Sequence, residues 1–209
     1  MKKYVKYTLV LIAVLLLGYK SVYFEKLSTR KNNTTEAFDV ASFSRDLWRK
    51  DFPAKMDSAV DLSVLIDAMQ EAKGAAFEKY THALAIGNYR YALIKAKLRV
   101  IEVKEDEVMA GINHHDSVLI VNAATEFIYG NAIRDASGLI QVKDYPNASD
   151  LNSISEGLNK IVRTEVLPDF KKKVKAGDNL DIVAAIELNK EHLHWHGIEL
   201  LPVRIQIVP

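Results

Sequence analysis

The chain has 209 residues, 49% of them hydrophobic and 26% charged, with a net charge of +1. That is enough for one domain with a full core, and the usage excludes wholesale disorder and fibrous classes. There is no cysteine, which excludes disulfides, thiolate zinc sites, iron–sulfur clusters and cysteine nucleophiles.

The charge is unevenly placed. Residues 1–20 carry four lysines and no acid, so the remainder holds 24 bases against 27 acids, a net −3. A slightly acidic domain is a poor partner for nucleic acid. Residues 7–19 form an uncharged run of 13 behind Lys2, Lys3 and Lys6, the pattern of an export signal with its positive end in the cytoplasm. No pair of small residues fits a cleavage site, because Gly18 pairs with Lys20 and Tyr19 with Ser21. The segment is therefore expected to remain as a membrane helix, reaching 18 residues at Phe24 if Lys20 snorkels. The expected division is an anchor over 1–27, a polar linker over 28–36, a helical segment over 37–80 and a β domain over 81–209.

In the helical segment, Phe38, Ala41, Phe43, Leu47 and Trp48 share a rough face, which Phe52 and Pro53 are expected to close. Residues 57–79 place Val60, Val64, Leu65, Ala68, Met69 and Ala72 on one stripe. Asp57 or Ser58 is the expected cap, and Gly74 the expected bend or end. Both helices are amphipathic and are expected to pack on the β domain.

From Asn88 the period changes to two. Residues 89–104 read as one long strand, with Ala92, Ile94, Ala96, Leu98 and Val100 facing one way. The phase then jumps to Ile101 and Val103, as at a β-bulge. Residues 113–116 read as a turn, 118–121 as a buried strand and 138–143 as a third strand. Leu151, Ile154, Leu158, Ile161 and Val162 mark a helix that Pro168 interrupts. Lys171, Lys172 and Lys173 fall in a last turn, where cations suit the dipole. Strands follow at 180–188 and 200–208. Three strands, a helix and two strands are the element order of the oligonucleotide/oligosaccharide-binding (OB) barrel. The expected class is α+β: an N-terminal membrane helix, a helical segment, then an OB-like five-stranded barrel with a helix between strands three and four. An open α+β sheet with a flanking helix is the rival.

The segment YGNAIRDASGLI (residues 129–140) resembles the signature of an uncharacterised bacterial family of predicted periplasmic lipoproteins, domain of unknown function 2291. Val22, Tyr23 and Phe24, then Phe38 and Asp39, then Trp48 with Pro53, agree with its N-terminal pattern. NSISEGLN (152–159) and Leu201, Pro202 and Val203 agree with its later part. The resemblance implies a membrane-tethered protein on the periplasmic side of the bacterial inner membrane, with genes near sugar-uptake ATP-binding-cassette transporters. It implies no activity. This sequence carries Tyr19 after Leu16, Leu17 and Gly18, where the family carries its lipid-bearing cysteine, so lipidation at that point is chemically excluded.

Two clusters are candidate sites. In GNAIRDASG (130–138), Asn131, Arg134 and Asp135 are the expected ligand contacts. Arg134 offers a planar fork for a carboxylate or phosphate, Asp135 orients it or takes a hydroxyl, and the glycines permit close approach. The competing reading is an internal Arg134–Asp135 salt bridge with a capped turn. In HLHWH, the imidazoles of His192, His194 and His196 share a face if extended and are candidate ligands for zinc, copper or nickel. Their spacing of about 6.6 Å on a flat strand favours an exposed hairpin tip instead. His114 and His115 join such a site only if the fold brings them there. No nucleophile elbow, phosphate loop or dinucleotide fingerprint is present. The function expected is a non-enzymatic binding or accessory module serving a membrane transporter or a small polar ligand, with no cofactor and no nucleic acid. The alternative is a metal-binding protein or metal-dependent enzyme built on the histidine strand.

Overall fold

The computed structural model describes residues 3–5, 7–8, 39–84, 86–145 and 147–209. It divides into Met1–Phe38 and Asp39–Pro209. In the first unit, residues 3–5 and 7–8 are helical. The expected anchor and linker otherwise lie outside the described residues. Among the described residues no helix is long and apolar enough to cross a membrane.

The second unit opens with helix α1, Val40–Lys50, which starts where Asp39 Oδ1 accepts from the amides of Ala41 and Ser42 at 3.1 and 3.2 Å. Helix α2, Phe52–Asp57, has a proline in its first turn. Phe52 and Pro53 therefore open a helix, whereas the sequence pattern has them close one. A missing amide donor costs nothing in a first turn. Strand β1, Val60–Asp61, and helix α3, Leu62–Tyr80, follow. The cap is Asp61, which accepts from the Ser63 amide at 2.9 Å. The bend falls at Ala72 (φ −145°, ψ 70°), two residues before Gly74. The buried stripe is Leu62, Leu65, Ile66, Met69, Ala76 and Phe77. Val60 leaves the expected stripe for β1, and Val64 is exposed.

Strands β2 (Tyr89–Val103), β3 (Glu107–His114) and β4 (Ser117–Ala124) come next, then helix α4 (Ala132–Ser137) and a 3₁₀ turn, Val142–Asp144. Helix α5, Ala148–Ile161, continues through a π turn, Val162–Val166, into helix α6, Leu167–Lys173. Pro168 sits in the first turn of α6 and does not interrupt the run. Strands β5 (Asn179–Asn189) and β6 (Ile198–Val208) end the chain.

The six strands run in the order β1-β2-β3-β4-β6-β5, and β2 also pairs with β5. The five longer strands thus close on themselves. All their pairings are antiparallel except β4 with β6. Strand β2 is long enough to serve three neighbours. One edge meets β5 from Tyr89 to Arg99, and the other meets β1 at Ile94 and Lys95 and β3 from Arg99 onward. The register shifts between Val100 and Glu102. Ile101 is therefore the extra residue that bends β2 from one partner toward the next. Ala92, Ile94, Ala96, Leu98 and Val100 all point inward and are buried.

The expected strand order needs two corrections. Residues 138–143 form no strand. Gly138 (φ 62°) ends α4, and Val142–Asp144 is an exposed 3₁₀ turn. The residues alternate as a strand would, but the closed sheet leaves them no edge to join. The strand absent from the expected order is β3. It buries Val108, Ala110 and Ile112 in alternation, but Ala110 and Gly111 weaken its apolar signal, and the acidic residues 105–107 that lead into it suit a turn. Helices α1 and α5 pack so closely that a Cβ on Gly157 would stand 2.2 Å from Ser44 Oγ.

Candidate functional site

The middle of the GNAIRDASG segment forms the short helix α4. All six of its residues are buried. Arg134 Nε donates to Asp135 Oδ1 at 2.6 Å, and Arg134 Nη1 donates to the Leu151 carbonyl at 2.9 Å. Asn131 Nδ2 donates to the other oxygen, Asp135 Oδ2, at 2.6 Å. Ser137 Oγ donates to the Arg134 carbonyl at 2.6 Å and accepts from the Leu139 amide at 3.2 Å. Asn159 Nδ2, from α5, donates to the Gly130 carbonyl at 2.9 Å. The fork of Arg134 is thus committed to α4 and α5. The pair acts as a clasp that holds α4 between the closed sheet and α5, while Asn131 at the start of α4 keeps one side toward solvent.

Asn131 lines a cleft of about 360 Å³ with Tyr129, Gly130, Ala132, Glu187, Ile198, Glu199 and Leu201. Four elements meet here: the segment after β4, the start of α4, the end of β5 and the start of β6. Behind Asn131 stands buried Tyr91, whose hydroxyl pKa is raised first by lost hydration; its hydrogen bond with Asn131 works against that, and Glu187 and Asp135 add to it. Glu199 has a raised pKa too, from lost hydration first and then from Glu107 and Glu187. Tyr129, which lines the cleft, is 60% exposed and stacks at 29° on Phe127, 59% exposed, with centroids 6.4 Å apart. The Arg163 guanidinium lies 5.2 Å from the Tyr129 ring centre, held by a 2.5 Å bond from Nη1 to the Ile128 carbonyl. An amide, two carboxylates and an exposed tyrosine ring around one cleft can bind hydroxyls and pack an apolar ring face.

Two larger cavities, about 720 and 450 Å³, run along the outer face of β2 and share Lys97, Asn113 and Asp181. Lys95 and Arg99 add positive charge there, Asp61 and Asp181 oppose it, and no aromatic side chain lines either cavity. Single-stranded nucleic acid is usually held on aromatic platforms.

His192, His194 and His196 are exposed in the segment joining β5 to β6. Among the described residues, the metal-type donors that the fold gathers are others: Asp67, His114 and His115, with all donor atoms within 4.8 Å. The sequence points to His114 and His115 but not to Asp67, 47 residues before His114 on α3. Nor does it single out Tyr129, Glu187 or Glu199. Glu187 carries a signal, since it breaks the apolar run of β5, and Tyr129 directly precedes the GNAIRDASG motif.

An OB-fold protein from Thermotoga maritima resembles this chain with a TM-score of 0.72 and 26% identity, over 83% of this chain and all of that one. No curated protein matches. The family model described as "Predicted periplasmic lipoprotein (DUF2291)" matches residues 12–206, and the chain belongs to that family.

Proposed function

We propose that this protein is a non-catalytic sugar-binding module, tethered on the extracytoplasmic side of the bacterial inner membrane, that serves a sugar-uptake transporter. The observation that carries the reading is the Asn131 cleft. Glu187, Glu199 and Asn131 offer donors and acceptors beside the exposed Tyr129 ring, on which Phe127 stacks. A neutral sugar presents that pairing of needs: hydroxyls on its edge and C–H groups on its face. Exposed apolar patches rimmed by polar residues mark ligand-binding grooves among other interaction sites. The family description supports the location, and the neighbourhood of sugar-uptake genes implied by the resemblance supports the partner. Relative to the ligand contacts expected from sequence, Asn131 stays in the site, while Arg134 and Asp135 support it from behind.

The test is a thermal-shift and calorimetric screen of the full chain in mild detergent against neutral monosaccharides and disaccharides. A sugar at 100 times its dissociation constant adds about 2.7 kcal/mol of stability. The shift should vanish in Tyr129→Ala and Glu187→Gln and persist in Lys97→Ala. A panel without any shift overturns the sugar reading. A shift lost only in Lys97→Ala moves the site to the β2 face.

A further inference from the structure

The β3–β4 turn and helix α3 meet at a point that the sugar reading does not use. His114 ends β3 and pairs with Ser117 across the turn. Its side chain is 6% exposed, and its Nε2 is fully buried with no hydrogen-bond partner. Nε2 does have a neighbour, Asp67 Oδ1 at 3.1 Å, set off the hydrogen-bonding direction. The next residue, His115, places its own Nε2 3.0 Å from the same oxygen. The two imidazole centres lie 4.3 Å apart at 71°. A buried imidazole nitrogen without a bond is costly. His115 also holds φ 49°, in the left-handed region that a non-glycine residue rarely adopts. That turn brings two consecutive histidines to one point, although consecutive side chains of a strand face opposite ways.

We infer that Asp67, His114 and His115 form a binding site for one zinc ion. Two imidazole nitrogens and a carboxylate oxygen are the donor set of an open zinc site, with bonds of about 2.0–2.2 Å and a fourth position left for water or another ligand. Donors about 3 Å apart on the Asp67 side fit ligands that surround one such ion. The free position faces solvent, because His115 and Asp67 are 71% and 47% exposed while His114 is enclosed. The ion would satisfy the buried Nε2 of His114 and remove the crowding of two imidazoles on one oxygen. Aspartate and histidine, with no thiolate, favour zinc over a soft monovalent metal.

The experiment uses the full chain in detergent, produced without a polyhistidine tag, stripped with chelator and titrated with zinc chloride by calorimetry, with bound metal counted after dialysis. One zinc per chain is expected. Asp67→Ala, at a half-buried position, and His115→Ala, at an exposed one, should weaken binding by more than the roughly 10–100-fold that loss of an outer-sphere partner causes. His194→Ala should bind as the parent does. Cobalt in place of zinc should give the intense visible bands of a four-coordinate ion, which His115→Ala should lose. The assignment is overturned if the parent takes up no stoichiometric zinc, or if both variants retain it. Loss of uptake in His194→Ala alone would overturn it equally, in favour of the β5–β6 segment.

Discussion

Arg134 and Asp135 are chain neighbours on one short helix, and their side chains, 7% and 2% exposed, meet at 2.6 Å. Adjacent residues on a helix ordinarily point apart. Here the guanidinium folds back on its neighbour and reaches on to the Leu151 carbonyl, so one side chain ties α4 to α5.

That clasp is expected to be structural. Asp135→Ala leaves a buried guanidinium and the Asn131 amide without their acceptor. Removing one partner of a buried pair costs about 3–5 kcal/mol. Urea unfolding of Asp135→Ala should show a loss of that size, and a loss under about 1 kcal/mol would mean that the pair is dispensable.

The α1–α5 contact makes a second prediction. A Cβ on Gly157 would stand 2.2 Å from Ser44 Oγ and 2.7 Å from Ser44 Cβ. Overpacking of this kind costs about 1–3 kcal/mol. Gly157→Ala should lower the thermal midpoint even though alanine is the better helix former. Ser44→Ala should be neutral or stabilising, since the Ser44 hydroxyl is buried without a partner, and it should soften the effect of Gly157→Ala when combined with it.

His82 should make stability depend on mild acid. Its pKa is lowered from 6.5, first by lost hydration and then by Lys55 and Arg90. The folded state therefore favours the neutral ring, and the unfolded chain takes the proton first as pH falls. Stability present above about pH 6.5 is lost as pH falls below it and through the lowered folded-state value. In His82→Gln that part of the pH dependence should be absent between about pH 7.5 and 5. The ring also stands 2.8 Å from where a Gly138 Cβ would lie, and Gly138 holds φ 62°. Gly138→Ala should be destabilising through both causes, and His82→Ala should relieve only the contact.

Glu199 should show the opposite sign. Its pKa is raised by lost hydration, Glu107 and Glu187, so the folded state disfavours the charge that the unfolded chain carries freely. The contribution is fully present below the ordinary carboxylate range and is lost as pH rises through the raised value. Glu199→Gln should therefore be more stable than the parent at about pH 7, with the gain vanishing near pH 4. If the cleft binds sugar, the same substitution should weaken that binding. A residue whose removal stabilises the fold and harms the ligand complex is the mark of a functional position.

The local signals carried much of the fold. The period-two run of β2, the phase jump at Ile101 and the apolar spacing of α5 all appear in the structure where the sequence places them. Each depends on neighbours close in the chain. The departures arise where tertiary context outweighs a weak local signal. Residues 138–143 alternate but have no edge to join, and β3 alternates with small residues that its partners β2 and β4 complete. GNAIRDASG carries glycines that permit close backbone approach, yet burial of Ile133 and Ala136 and the Arg134 clasp make its middle a helix.

By itself, the sequence determined that no thiol chemistry is present, that a basic apolar segment precedes a near-neutral domain, and that a family motif lies at residues 129–140. Those are statements about composition and order along one dimension. Only the tertiary structure decided which side chains meet. Closure of the sheet set Glu187 and Glu199 beside Asn131, spent Arg134 on Asp135 and Leu151, and brought Asp67 to His114 and His115 across 47 positions. Contacts of that range depend on how strands pair and helices pack, and local periodicity carries no record of them.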